Sequence, residues 1–120
     1  MAKKKELSKE ERINNEKKRL TDIFQEIDED KLDIVDGLIN RASFMRITLE
    51  DYEKDINENG SVEAFSQSEK LEPYERGRPV VGFYNTMNKN YQSIIKQLID
   101  LLPKEEQIII DDGFEDFITR

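Results

Sequence analysis

The chain has 120 residues, of which 36% are apolar and 38% charged, and a net charge of −8. So little apolar material cannot build a large globular core, and helix stripes buried against other helices are the workable alternative. Neither cysteine nor histidine is present. That excludes disulfides and thiolate metal sites, and removes the commonest general base, nucleophile activator and zinc ligand together.

Charge is distributed unevenly. Residues 1–20 hold eight cationic against four anionic side chains, a net +4, and the rest, eleven against twenty-three, carries −12. A basic arm on an acidic body suits local contact with a polyanion, although a lysine-rich end also serves simply as a solubility tail. No apolar run follows the first lysines as it does in a secretory signal, and no stretch reaches the roughly 20 apolar residues that cross a bilayer. The expected location is the cytoplasm, with no membrane partner.

In chain order, a first helix is expected from Ser8, whose hydroxyl can cap the first turn while Glu11 reaches back to it. Ile13, Leu20, Phe24 and Ile27 give it one sparse apolar stripe, so it must dock on something else. Lys3, Lys4 and Lys5 precede it, and Lys9, Arg12, Lys17, Lys18 and Arg19 lie along it. On a helical wheel Lys9, Arg12 and Arg19 share one side with Lys5, and Lys17 and Lys18 sit further round. These eight are the candidate DNA contacts, directed at phosphates and carrying little sequence information.

A second helix is predicted over about 30–59. Val35, Leu38, Ala42, Met45, Leu49, Tyr52 and Ile56 are spaced 3, 4, 3, 4, 3, 4, a heptad seam. Asn59-Gly60 supplies its left-handed stop, and Gly37 within it suggests a close helix approach. Arg41 and Arg46 fall off the seam and read as a solvated face, or as polyanion contacts if the helices line a ring. Residues 60–79, with two prolines, two glycines and few large apolar side chains, form either a β-hairpin about Ser66–Ser68 or a loop.

Pro79 suits the first position of a third helix, in which Tyr84, Met87, Tyr91, Ile94, Leu98 and Leu101 repeat the seam spacing up to Pro103. Tyr84 and Tyr91 are expected in the core with hydroxyls at its rim. Val80, Phe83, Ile95, Ile99 and Leu102 widen this face beyond one partner, so the first helix or another subunit must cover it. The fold class is therefore all-α: a long antiparallel helical hairpin at 30–104 serving as an oligomerisation core, the arm and first helix at 1–29, and a short carboxyl-terminal arm at 105–120. Leu38, Met45, Leu49, Tyr52, Tyr84, Met87, Tyr91, Ile94, Leu98 and Leu101 are the candidate oligomerisation residues.

No phosphate-binding glycine loop occurs. Asp111, Asp112, Glu115 and Asp116 read as a solvated acidic turn rather than a magnesium site. No metal, no cofactor and no enzymatic activity are expected.

The stretch 84–104, YNTMNKNYQSIIKQLIDLLPK, resembles the carboxyl-terminal helix of a family of phage terminase small subunits. A tyrosine-asparagine pair opens that helix, matched by Tyr84-Asn85, and a Lys-Gln-Leu run leads to Leu-Leu-Pro-Lys, matched by Lys96-Gln97-Leu98 and Leu101-Leu102-Pro103-Lys104. The lysine-rich start, the long helix bearing Leu49-Glu50-Asp51-Tyr52 and the Gly/Pro-bearing connection follow the same order, whereas Pro79–Phe83 is more apolar than the family's run before the tyrosine. The resemblance implies a non-catalytic protein that assembles into a ring. It would bind double-stranded viral DNA near the packaging start, in the bacterial host cell, and present it to the large subunit that holds the ATPase and nuclease. The carboxyl-terminal arm would then meet a neighbouring subunit or the large subunit. The competing reading is a coiled-coil scaffold that does not bind DNA.

Overall fold

The computed structural model describes residues 6–104. Helix α1 spans Lys9–Ile23, a short 3-10 turn follows at Glu29–Lys31, and helix α2 spans Leu32–Asn59. Strands β1 (Val62–Phe65) and β2 (Tyr74–Gly77) form an antiparallel hairpin, and helix α3 spans Pro79–Leu101. The protein is thus mostly helical with one small β-hairpin. The expected arm at 105–120, with its acidic turn, lies outside the described residues.

Local chemistry sets each boundary. Ser8 caps α1: its hydroxyl accepts from the Glu11 N–H and donates to the Glu11 carboxylate, each at 3.1 Å. A cap of this kind contributes about 1 kcal/mol. Gly60 ends α2 with φ +83° while its N–H donates to the Ile56 carbonyl at 2.7 Å; only glycine takes that backbone region without strain. Pro79 occupies the first turn of α3, where no N–H is needed.

Helix α2 is the shared partner. Its 28 residues extend about 42 Å at 1.5 Å per residue. Glu53 meets Tyr84 and Arg46 meets Tyr91, so α3 runs antiparallel to it. Arg12 meets Asp51 and Glu16 meets Arg46, so α1 is antiparallel to α2 as well. Leu20, Phe24 and Ile27 from the amino-terminal part close the core with Val35, Ile39, Ala42 and Leu49 of α2 and with Tyr91, Ile95, Leu98 and Leu102. The surplus apolar width of α3 is thus covered partly by α1, within one chain.

Tyr91 and Leu98 are fully buried and Leu49 is nearly so, closing the core within one chain. Leu38, Met45, Tyr84, Met87, Ile94 and Leu101 are half-buried at the edge of the same core, and Tyr52 is half-buried on α2. The stripe of α2 that meets the other helices runs through Val35, Ile39, Ala42, Arg46 and Leu49 to Glu53 at its exposed end, and shares Val35, Ala42 and Leu49 with the predicted seam. Gly37, in turn, makes no close approach, for a Cβ there would meet nothing within 4 Å.

The connection at 60–79 forms a hairpin held by cross-strand pairs. Phe65 faces Tyr74 edge-on, with centroids 5.9 Å apart, and the Arg76 guanidinium lies 3.5 Å over the Phe65 ring. At its base Arg78 donates to both Asp55 oxygens, at 2.9 and 3.1 Å, and to the Gly60 carbonyl at 2.9 Å. Hydrogen bonds from Asn59 and Arg78 hold the Asp55 carboxyl below its ordinary value. The hairpin is therefore clamped to the end of α2 through the residue just before α3.

Because Gly37 is exposed and uncrowded within a helix, Gly37→Ala should raise stability by about 0.5–1 kcal/mol. Urea denaturation monitored by circular dichroism measures it, and a loss of stability would reveal a contact at this position.

Candidate nucleic-acid interface

The eight candidate DNA contacts separate into three groups. Lys3, Lys4 and Lys5 lie outside the described residues. Lys9, Arg12 and Arg19 make ion pairs within the chain. Arg12 donates to Asp51 at 2.7 Å and lies 3.9 Å from Glu50. The Lys9 ammonium is 3.9 Å from Asp51 and 5.2 Å from the Phe44 ring centroid. The hydrogen bond to Asp51 is the largest influence on the Arg12 guanidinium, which is held above its ordinary value. Arg19 donates through two nitrogens to the two oxygens of Glu16, at 2.8 and 2.9 Å. Lys9 and Arg12 therefore lie on the side of α1 that meets Glu50 and Asp51 of α2, whereas Arg19 pairs with Glu16 of its own helix. All three share their charge with a carboxylate of the same chain.

Lys17 and Lys18 form the third group. Lys18 is exposed, Lys17 half-buried, and neither has an ion pair among the described residues. Together with Thr21 and Asp22, and with Asp36, Ile39 and Asn40 of α2, they line an open groove of about 460 Å³. Asp22 and Asp36 lower the positive potential there, so the groove does not match an anion by itself.

The arrangement that the sequence did not disclose lies behind this face. Glu16 is buried, with only 6% exposure, and accepts from Arg19 of its own helix at both oxygens while the Arg46 Nε of α2 lies 3.4 Å from its Oε2. Arg46 in turn sits 3.5 Å from the hydroxyl of the fully buried Tyr91 of α3. One polar cluster thereby joins all three helices. Arg46 is not on a solvated face as expected, whereas Arg41 is exposed. Burial disfavours the Arg46 charge, but the Tyr91 hydroxyl and Glu16 outweigh it and keep the guanidinium above its ordinary value. The available signal was spacing: Ile13, Glu16 and Leu20 follow at 3 and 4, which places a carboxylate inside an apolar stripe.

Tyr84 is half-buried at the edge of the core, as expected with its hydroxyl at the rim, whereas Tyr91 is fully buried and its hydroxyl meets Arg46 inside. Tyr84 donates to Glu53 at 2.8 Å. Burial, helped by the Glu53 carboxylate, pushes the Tyr84 phenol up to about 12 from 10.0. Burial also raises the Tyr91 phenol, and Arg46 partly offsets this. No cluster of three potential metal ligands occurs among the described residues, and none of their helices is long and apolar enough to cross a membrane. Comparison of the chain with family models, curated proteins and solved structures returned no match.

Since both phenols are raised, the folded state binds their protons more tightly than the unfolded chain does. The associated stability is complete below pH 10 and is lost as pH rises toward about 12. Denaturation at stepped alkaline pH should show this decline, and Tyr84→Phe should make it shallower. An unchanged pH profile in the variant would exclude the Tyr84 contribution.

Proposed function

We propose that this chain is the non-catalytic, DNA-binding small subunit of a phage terminase, acting in the bacterial host cell. It assembles as a ring and delivers viral DNA to the large ATPase and nuclease subunit. The resemblance over 84–104 and the +4 charge of residues 1–20 support this reading. The structural observation that favours it is that Lys17 and Lys18 remain without ion pairs among the described residues, on a helix continuous with the basic arm. Lys9 and Arg12 meanwhile pair with Asp51 of α2, and Arg19 pairs with Glu16, which also meets Arg46 of α2. Contact with DNA then falls to Lys3, Lys4, Lys5, Lys17 and Lys18, while Lys9, Arg12 and Arg19 act as supports. One subunit neutralises few phosphates, and a ring that repeats the arm gains avidity without new contacts. Subunit contacts then draw on the half-buried seam residues and on other apolar side chains such as Phe83, which is 62% exposed.

A helical scaffold that does not bind DNA is the second reading. It is favoured by the inward use of three of the cations and by the carboxylates of Asp22 and Asp36 beside the two lysines.

Fluorescence anisotropy with a labelled duplex across a salt series distinguishes them. Under the terminase reading, Lys17→Glu with Lys18→Glu weakens binding and lowers the magnitude of the salt slope by roughly two per subunit in contact. Arg12→Ala should reduce stability far more than affinity. No binding by the unaltered oligomer, or equal binding by the lysine variant, would favour the scaffold.

A further inference from the structure

Residues 50–90, which include the whole β-hairpin, contain no buried side chain. A two-stranded hairpin without a further strand or a packed helix is marginal in water. Arg78 fixes the base of this one, but both of its edges are open. The Arg78 N–H donates to the Ser61 carbonyl at 2.9 Å. Given the register from Val62↔Gly77 to Phe65↔Tyr74, the alternation of an antiparallel ladder then bonds Glu63 to Arg76 and Phe65 to Tyr74. Val62 and Ala64 on one edge, and Glu75 and Gly77 on the other, therefore direct their N–H and C=O groups outward. All four residues are exposed, and no backbone group outside the two strands bonds to them among the described residues. Such edges are templates for another strand.

We propose that β1 of one copy pairs antiparallel with β2 of the next, in the register that joins the two strands within the chain. This pairing rests on the ring assembly proposed above and supplies its contact, and it does not depend on DNA. Charge selects it. The Arg76 guanidinium lies 3.5 Å from Glu63 of its own chain, and the pairing brings a second Glu63 to its other flank. Tyr74, already edge-on to Phe65, gains a second Phe65 in the same way. The alternatives are poorer. Over at least three residues, antiparallel pairing of two copies of β1 opposes Glu63 with Glu63 or with Phe65. Two copies of β2 likewise oppose Arg76 with Arg76 or with Tyr74. Like charges directly opposite are destabilising. Only β1 with β2 overlaps all four residues and matches Glu63 to Arg76. That contact joins different edges of the two copies, so it repeats from subunit to subunit and closes a ring where the rotation allows.

The chain has no cysteine, so Ala64→Cys and Glu75→Cys, made as separate full-length variants, give clean cross-linking sites. In the proposed pairing these positions are directly opposite across the junction, with Cα atoms about 5.5 Å apart, within the range that a disulfide spans. Refolded together and mildly oxidised, the two variants should yield a disulfide-linked dimer, whereas each alone should not. Ala64→Pro removes an outward N–H and no ladder bond within the chain. It should convert the oligomer to a monomer in light scattering, with helicity by circular dichroism unchanged. The cross-link tests the pairing even if the proline variant does not fold. A mixture that links no better than either variant alone, while light scattering finds an oligomer, overturns this pairing and leaves the ring to another surface. A folded Ala64→Pro variant that stays assembled does the same. A monomeric unaltered protein overturns both the pairing and the ring.

Discussion

A buried carboxylate fixes how the helices meet. Glu16 stands where an apolar residue would complete the stripe of α1, and its burial is tolerable only while cations reach it. Arg19 comes from the same helix, whereas Arg46 comes from α2 and touches Tyr91 of α3. Sliding α1 by one turn along α2 would part Glu16 from Arg46 and leave a charge buried beside Leu20 and Leu49. Apolar side chains alone do not discriminate so sharply, since an aliphatic stripe offers similar contacts one turn away. Apolar burial supplies the attraction between these helices, and the polar cluster selects the alignment.

That alignment determines which charges the protein offers to others. Once Glu16 points into the core, Arg12 and Lys9 face Glu50 and Asp51 on α2, and their positive charge is used within the chain. Lys17 and Lys18 are carried round to the outer edge of the same interface. A helix that looks uniformly basic thus presents two distinct surfaces. Exposed pairs of this kind contribute little stability individually, typically about 0–1 kcal/mol. Their larger effect is to orient the helix that carries the remaining lysines. One turn further along α2, Arg78 performs a comparable task, fixing the β-hairpin to Asp55 and Gly60.

Much of the fold was legible because its boundaries rest on local chemistry. Ser8, Gly60, Pro79 and Pro103 each mark a helix end within a residue or two of where it falls. The hairpin was only half legible, since Phe65, Tyr74 and Arg76 are too few to declare a strand until they are paired. The seam of α2 was incomplete for a definite reason. Leu38, Met45 and Tyr52 keep the 3–4 spacing as well as Ile39, Arg46 and Glu53 do, and apolar character favoured the first set. Tertiary contact uses both, since Leu38 and Met45 pack at the core's edge while Tyr91 and Glu16 solvate Arg46 and Tyr84 solvates Glu53. The same blindness affected the candidate DNA residues. A helical wheel of α1 shows which cations share a side, but not that the partner helix brings carboxylates to it.

The most direct test is a double-mutant cycle between Glu16 and Arg46, using Glu16→Ala, Arg46→Ala and the pair, with unfolding free energies from denaturant titration. If this contact sets the register, the coupling is favourable and about 1–2 kcal/mol, reduced from the range for fully buried pairs because the Arg46 side chain is 38% exposed. Losses that add within about 0.3 kcal/mol would contradict the account and leave the alignment to apolar packing alone.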